Sequence, residues 1–218
     1  MGATTLEDLR AELGDAIARG DRPEAVRLAL EAVDDGSVSI EQIHVILGDL
    51  LTDIGNGWRT GATAIWQEHL ASAATRTVIE ALYPTVRRLA PLPNGHTVVL
   101  GCPEDESHDL GLRMLADRFE LAGWRVCYLG ADVPAAEIAR AALSSGAELI
   151  VLSASTHYHL VRLRSAMETL ASDLPNVRVL VGGPALCGTV PDALVGHLFD
   201  PNEFFSDVSG LAPACEED

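Results

Sequence analysis

The chain has 218 residues, of which 15 are Lys or Arg and 32 are Asp or Glu, so its formal net charge is −17. Apolar residues account for 48% and charged residues for 22%, as in globular proteins with a hydrophobic core. The length is sufficient for one or two domains of about 100 residues each. The negative charge argues against direct nucleic-acid binding, because phosphate recognition depends on Lys and Arg.

The sequence predicts a cytoplasmic protein with no membrane partner. No run of about 18 apolar residues occurs, so we expect no membrane-spanning helix. The N-terminal segment MGATTLEDLRAELGDAIARG carries acidic residues and no continuous apolar core, unlike a signal peptide. The four cysteines are too widely spaced for a zinc pattern or a disulfide framework, and we expect reduced thiols. They are Cys102, Cys127, Cys187 and Cys215.

Residues 1–90 are predicted to form a four-helix bundle. The first helix follows Thr5, with apolar residues at three- and four-residue intervals, and the second has Pro23 in its first turn. Ser39, with a glutamine three residues later, is typical of a capping box at the start of the third helix. The fourth helix is expected from about residue 62 to residue 89. The short connections favour a bundle.

Residues 95–218 alternate between apolar runs and helical segments. The predicted strands are HTVVLGC, WRVCYLG, AELIVLSAS and VRVLVGG, with HLFD as a last short strand before a C-terminal helix. The runs are continuous rather than alternating, as expected for parallel strands that are covered on both faces. We therefore predict an α/β domain with a flavodoxin-like, doubly wound parallel sheet, joined to the bundle by the linker APLPNGH.

The loops after these strands carry the candidate functional residues, because ligands of such sheets bind beyond the carboxyl ends of the strands. The first loop contains Glu106 and His108. A histidine beside a carboxylate can bind a metal through one ring nitrogen while the carboxylate orients the other. An exposed loop histidine is the alternative interpretation.

The next two loops offer hydroxyl groups and glycines. Ser153, Ser155 and Thr156 follow the third strand, and Gly182-Gly183 follows the fourth, where it would leave room for a large flat ligand. Helix-capping serines and a tight Gly-Gly turn are the alternatives. The segment His157-Tyr158-His159 is expected at a helix N-terminus in solvent.

This series of motifs resembles the cobalamin-binding domain of proteins that bind vitamin B12 in the base-off/His-on mode. The family signature Asp-x-His-x-x-Gly is matched by Glu106-x-His108-x-x-Gly111, with Glu in place of Asp. The resemblance covers about residues 4–210, including the preceding bundle. It implies that His108 is the lower axial ligand of cobalt and that Glu106 orients it. The other residues implied to contact the cofactor are Ser107, Asp109, Gly111, Ser153, Ser155, Thr156, Gly182 and Gly183.

The bundle contains a further pattern, Trp58 followed after nine residues by Glu68-His69. Ten residues of continuous helix rotate through about 1000°, which would place Trp58 and Glu68 on different faces. Gly57 and Gly61 predict a break between them. A core tryptophan with an exposed Glu-His pair is the purely structural alternative.

This pattern is similar to that of the cobalamin-dependent photoreceptors of the CarH/LitR group. The resemblance implies that Trp58 packs over the adenosyl group of adenosylcobalamin, that Glu68 hydrogen-bonds its ribose and that His69 lies near the upper face of cobalt. It implies a non-enzymatic light sensor for signalling, in which photolysis of the Co–C bond shifts the bundle.

Two departures from that group bear on the output. Arg59 stands where CarH-type photoreceptors have a histidine that ligates cobalt after photolysis, and we expect no DNA-binding domain ahead of the bundle. We therefore expect signalling through a protein partner or through homo-oligomerisation. Stand-alone relatives include photocobilins, in which a bilin such as biliverdin is a second chromophore, but the cysteines show no attachment motif.

Two other functions fit the same motifs. A corrinoid methyl carrier for a methyltransferase has the same domain order and requires an upper face that opens to its partner. A light-independent cobalamin-sensing regulatory module is the third class, and only illumination separates it from a photoreceptor.

Overall fold

The computed structural model describes residues 5–187 and 190–208. Contacts divide the chain into two compact units with the boundary after Leu89. Among the described residues, no helix is long and apolar enough to cross a membrane. Cys102, Cys127 and Cys187 are free thiols, and Cys215 lies outside the described residues.

The described part of the first unit consists of four helices. They are α1 (Leu6–Ala18), α2 (Arg22–Asp34), α3 (Ile40–Thr60) and α4 (Ile65–Leu89). Ser39 and Gln42 form the predicted capping box at α3, and Thr5 forms a second one with Asp8 at α1. The largest fully buried side chains contribute about 1.5–3 kcal/mol each to stability. They are Leu13, Ile17, Ile43, Leu47, Ile79 and Leu82.

The described part of the second unit contains a four-stranded parallel sheet. Its strands are β1 (Thr97–Pro103), β2 (Arg125–Val133), β3 (Leu149–Ser153) and β4 (Arg178–Gly182), in the order β2-β1-β3-β4. The helices are α5 (Leu110–Leu121), α6 (Ala135–Ser145), α7 (Leu160–Asp173), α8 (Asp192–Val195) and α9 (Pro201–Val208).

Apolar side chains cover both faces of the sheet. Ile138 of α6 and Leu163 of α7 belong to one hydrophobic cluster, and Leu112 and Phe119 of α5 belong to the other. All seven residues of β1 are buried. The apolar runs of β1, β3 and β4 therefore form largely buried strands, whereas the edge strand β2 is only partly buried. The predicted fold class is confirmed.

The strand order creates one crevice in the sheet. The chain passes from β1 to β2 on one side and reaches β3 on the other side of β1. The loops that leave β1 and β3 therefore diverge at neighbouring carboxyl ends, the position at which open α/β sheets bind ligands. These loops contain residues 104–109 and 154–159.

The HLFD segment was predicted as a strand, and that prediction is wrong. The structure has a single bridge between Leu198 and Val181. Val181 donates to the carbonyl of His197 at 2.7 Å and accepts from the Phe199 amide at 2.8 Å. The pairing stops there because α9 begins at Pro201, whose nitrogen carries no proton for a ladder.

Candidate functional site

The buried carboxylate of Glu106 connects the loops that follow β1 and β3. Glu106 is fully buried, and its Oε1 accepts a hydrogen bond from the His108 amide at 2.8 Å. The same oxygen lies 2.6 Å from Nδ1 of His108. Oε2 accepts from the Ser155 amide at 2.7 Å. One side chain therefore fixes both loops at the crevice of the sheet.

Two aspartates hold the backbone around Glu106. Asp105 and Asp132 have positive φ angles of 68° and 55°, which cost a non-glycine residue about 1–2 kcal/mol each. The Asp105 amide donates to Oδ1 of Asp132 at 2.8 Å, and the Asp132 amide donates to the Glu106 carbonyl at 3.0 Å. These hydrogen bonds stabilise the strained backbone at both aspartates, of which Asp132 lies within β2, and thereby position Glu106.

The hydrogen bonds to Glu106 keep its carboxylate ionised. Burial by itself would raise the pKa of Glu106. The hydrogen bonds from His108 and the Ser155 amide outweigh burial, and the pKa falls from its ordinary value of 4.5 to about 2. Burial, with the nearby charges of Glu106 and Asp109, raises the pKa of the Cys102 thiol to about 12, so Cys102 stays a neutral thiol.

His108 is prepared to act as a metal ligand. An ionised carboxylate only accepts hydrogen bonds, so Nδ1 of His108 carries the proton and the lone pair lies on Nε2. The side chain is 57% exposed although its partner is fully buried. A carboxylate–histidine pair of this kind fixes the tautomer and raises the basicity of the ligand nitrogen.

His159 was expected in solvent and instead joins this pair. Its side chain is 18% exposed, and its Nδ1 lies 2.6 Å from Oε2 of Glu106 and 3.0 Å from the Thr156 hydroxyl. A 3₁₀ turn over His157–His159 returns the chain towards Glu106. His157 and Tyr158 are exposed, as predicted. Nothing in the local sequence distinguishes His159 from His157, because only the fold brings Glu106 within reach.

The loop after β4 approaches the loop after β3 through Gly183. This glycine has φ +104°, and a Cβ on it would lie 2.3 Å from the Ala154 carbonyl and 2.8 Å from the Ser153 hydroxyl. Only glycine fits this close backbone approach. A Cβ at Gly182 would make only ordinary contact, with its nearest atom at 3.8 Å.

The other predicted residues of this region lie in different environments. Asp109 is buried and accepts a hydrogen bond from the Tyr128 hydroxyl at 2.8 Å, which ties it to β2. Ser107 is exposed. A Cβ on Gly111 would meet nothing within 4 Å, so the first turn of α5 borders open space.

The turn between α3 and α4 carries the residues predicted from the bundle. Helix α3 ends with Gly61 in the left-handed conformation, so the predicted break is present. Trp58 is 53% exposed in the last turn of α3. Glu68, in the first turn of α4, accepts from Ser72 at 2.8 Å, and the His69 side chain is 76% exposed. This exposure of Trp58 argues against the alternative in which it is a core tryptophan.

Comparisons with known proteins agree with this architecture. Two family models, both described as B12 binding domain, match the chain. One matches residues 96–195 and the other matches residues 9–83. The HTH-type transcriptional repressor CarH of Myxococcus xanthus is 29% identical over 94% of this chain and 75% of its own length. Trimethylamine corrinoid protein 1 of Methanosarcina acetivorans is 26% identical over 88% of this chain and 91% of its own.

A solved structure shares the fold. The monomethylamine corrinoid protein of Methanosarcina barkeri superimposes with a TM-score of 0.74 over 86% of this chain and 88% of that chain, at 21% identity. The fold and the two family matches define a cobalamin-binding protein with a helical domain ahead of an α/β domain. The two B12 binding domain matches together support a cobalamin-binding family for this chain.

The residues at the crevice fit a base-off/His-on corrinoid. His108 supplies an imidazole whose tautomer is fixed by Glu106, and its ring is accessible from outside. Glu106 has one methylene more than the usual aspartate, yet it reaches both the histidine and the Ser155 amide. The carboxylate therefore keeps the orienting function that the aspartate has in the family signature.

Proposed function

We propose that the chain is a light sensor that binds adenosylcobalamin in the base-off/His-on mode and changes conformation or association when light cleaves the Co–C bond. The observation that carries this proposal is the placement of exposed Trp58 and His69 and half-buried Glu68 on either side of the turn between α3 and α4. CarH, a relative over 94% of the chain, supports it.

Each of these residues has a defined task in the proposal. His108 would hold cobalt through Nε2, while Glu106 holds its Nδ1 proton. Trp58 packs against the adenosyl group. Glu68, whose carboxylate is already oriented by Ser72, accepts a hydrogen bond from the ribose. The cofactor supplies a cobalt–carbon bond that light can break.

The exposed area of Trp58 determines how much free energy its contact with the adenosyl group would contribute. A tryptophan buries up to about 250 Å². Trp58 is 53% exposed, so covering it removes about 130 Å² from water and contributes about 3 kcal/mol. Loss of the adenosyl group releases that contribution. A free energy of this size shifts a two-state equilibrium by about 100-fold, which suffices for a conformational output.

The signal is proposed to pass to a protein partner or to a second copy of the chain. The net charge of −17 is unfavourable for direct contact with nucleic acid. Arg59 donates a hydrogen bond to Asn56 and has no lone pair with which to ligate cobalt after photolysis. His69, ten residues further along the chain, is the histidine that would supply an imidazole in its place.

The second candidate function is a corrinoid methyl carrier. It is favoured by the corrinoid relatives, since the trimethylamine corrinoid protein matches over 91% of its own length and therefore across both domains. A methyl carrier has no use for an aromatic side chain over an adenosyl group. Its affinity for methylcobalamin would equal or exceed that for adenosylcobalamin.

The proposal is tested by comparing the size and mass of the loaded chain in the dark and after illumination. The chain loaded with adenosylcobalamin is run on size-exclusion chromatography with light scattering in the dark and after green illumination. We expect a change in elution volume or mass with light. His108→Ala is expected to lose His-on ligation and most cobalamin affinity, and with them the response. A wild-type protein that binds adenosylcobalamin but elutes identically before and after light would refute the sensor function.

A further inference from the structure

We propose that Glu106, His108 and His159 bind a divalent transition-metal ion such as Zn²⁺ when cobalamin is absent, and that this ion and His-ligated cobalamin exclude each other. The first statement depends only on these three side chains. The second rests on the proposed function, because it takes His108 as the cobalt ligand.

The three side chains already converge around one point. One potential ligand atom from each lies within 4.8 Å of the others. Nδ1 of His108 is 2.6 Å from one oxygen of Glu106, and Nδ1 of His159 is 2.6 Å from the other. Ligands at about 2.1 Å from a tetrahedral ion are about 3.4 Å apart. Small side-chain rotations bring these atoms to that separation, with the ion replacing the protons between them.

The set of donor atoms selects the class of ion. Two imidazoles and a carboxylate form three-ligand zinc sites that keep an open position for water. Imidazole suits Zn²⁺, Ni²⁺ and Cu²⁺, whereas Mg²⁺ and Ca²⁺ require sets dominated by oxygen. The net charge of −17 also raises the local concentration of cations.

An ion has a path to these ligands. Glu106 is fully buried, but His159 lines a cleft of about 500 Å³ together with Asp105 and Arg162. The positive charge of Arg162 is offset by its ion pair with Asp105 at 2.8 Å. His108 offers a second approach, since its side chain is 57% exposed.

The tautomers of His108 make the two ligands mutually exclusive. A neutral imidazole has one lone pair and one proton. Cobalt ligation through Nε2 requires the proton on Nδ1, where Glu106 accepts it. An ion on Nδ1 moves that proton to Nε2, which removes the lone pair that cobalt needs. The metal-bound chain would therefore be closed to His-on cobalamin.

The first test uses the untagged full-length chain, purified without cobalamin and treated with a chelator. Zn²⁺ binding is measured by titration calorimetry, and the visible absorption of added Co²⁺ reports the coordination. We expect one ion per chain. His159→Asn should lower the affinity by about 100-fold or more, since even outer partners of metal ligands contribute 10–100-fold. His157→Asn removes the exposed histidine of the same 3₁₀ turn and should leave the affinity unchanged.

The second test adds adenosylcobalamin in the dark with and without saturating Zn²⁺. We expect Zn²⁺ to suppress the His-on absorption spectrum and the chelator to restore it. Equal Zn²⁺ affinity in wild type and His159→Asn, with both folded by circular dichroism, would overturn the site. An unchanged His-on spectrum in Zn²⁺-loaded protein would overturn the exclusion. Because the first titration contains no cobalamin, its result does not depend on the light-sensor proposal.

Discussion

Replacing the carboxylate of Glu106 by an amide is expected to destabilise the α/β domain. Glu106→Gln preserves the size of the side chain but exchanges one acceptor oxygen for an NH₂ donor. Two backbone amides, those of His108 and Ser155, donate to the two oxygens of Glu106. In the buried variant one of these two backbone amides must face the new side-chain NH₂ group, which is also a donor. The negative charge that strengthens both hydrogen bonds is lost as well.

The hydrogen bonds to Glu106 and the pKa shift that they cause give similar values for the free-energy cost. Hydrogen bonds to a charged group contribute about 1.5–3 kcal/mol, and a buried unsatisfied donor costs about 1–3 kcal/mol. The pKa of Glu106 falls from 4.5 to about 2 in the folded chain, which corresponds to about 3 kcal/mol for a fully buried group. We therefore expect Glu106→Gln to lower the free energy of unfolding by about 2–3 kcal/mol at pH 7.

The difference in stability between wild type and Glu106→Gln is expected to depend on pH. The folded-state pKa is depressed, so the stabilisation from ionised Glu106 is complete above about pH 4.5 and is lost as the pH falls towards 2. Urea unfolding followed by circular dichroism should show the difference between wild type and variant shrinking over that interval. Glu104→Gln, at the exposed neighbouring position, should change stability by less than about 0.5 kcal/mol. A difference that stays constant from pH 7 to pH 3 would refute the reasoning.

Three further predictions concern the bundle, the glycine turn and a second chromophore. Trp58→Ala should lower adenosylcobalamin affinity by up to about 100-fold in binding titrations without weakening methylcobalamin binding. Trp66→Ala, at a spacer position of the same pattern and 67% exposed, should leave both affinities unchanged. Gly183→Ala should destabilise the domain by about 2–3 kcal/mol in thermal unfolding, because Gly183 has a φ of +104° and a Cβ there would collide with the Ala154 carbonyl. Gly196→Ala, at a φ of −75° and with no atom near the added Cβ, should leave the stability unchanged. Reconstitution with biliverdin should add a long-wavelength absorption band if a bilin binds; its absence would remove that hypothesis.

The local features of the fold were predictable because they depend on neighbouring residues. The capping box of Ser39 and the helix break at Gly61 follow from chemistry within four residues of each position. The parallel sheet followed from the continuous apolar strands. The helix after HLFD was expected, but HLFD itself was predicted incorrectly as a strand, because its pairing ends after a single bridge where Pro201 cannot donate a further hydrogen bond.

The composition of the crevice was predictable only in part. The spacing of Glu106 and His108 in one loop suggested their pairing beside the alternative of an exposed loop histidine, and the resemblance to cobalamin-binding domains implied it. The contact of Glu106 with His159 joins residues 53 positions apart in the sequence, and it depends on the neighbouring carboxyl ends of β1 and β3. The left-handed backbone conformations of Asp105 and, within β2, of Asp132 likewise depend on a hydrogen bond between segments that are distant in the sequence.

The visible absorption spectrum of the chain loaded with adenosylcobalamin, recorded in the dark and after green light, tests the central claim most directly. We predict a base-off/His-on spectrum in the dark and a lasting change of the spectrum after illumination. His157→Ala should behave like wild type in the same measurement. A His-on spectrum that is identical before and after light would contradict the sensor function, and a base-on spectrum in the dark would contradict His108 as the cobalt ligand.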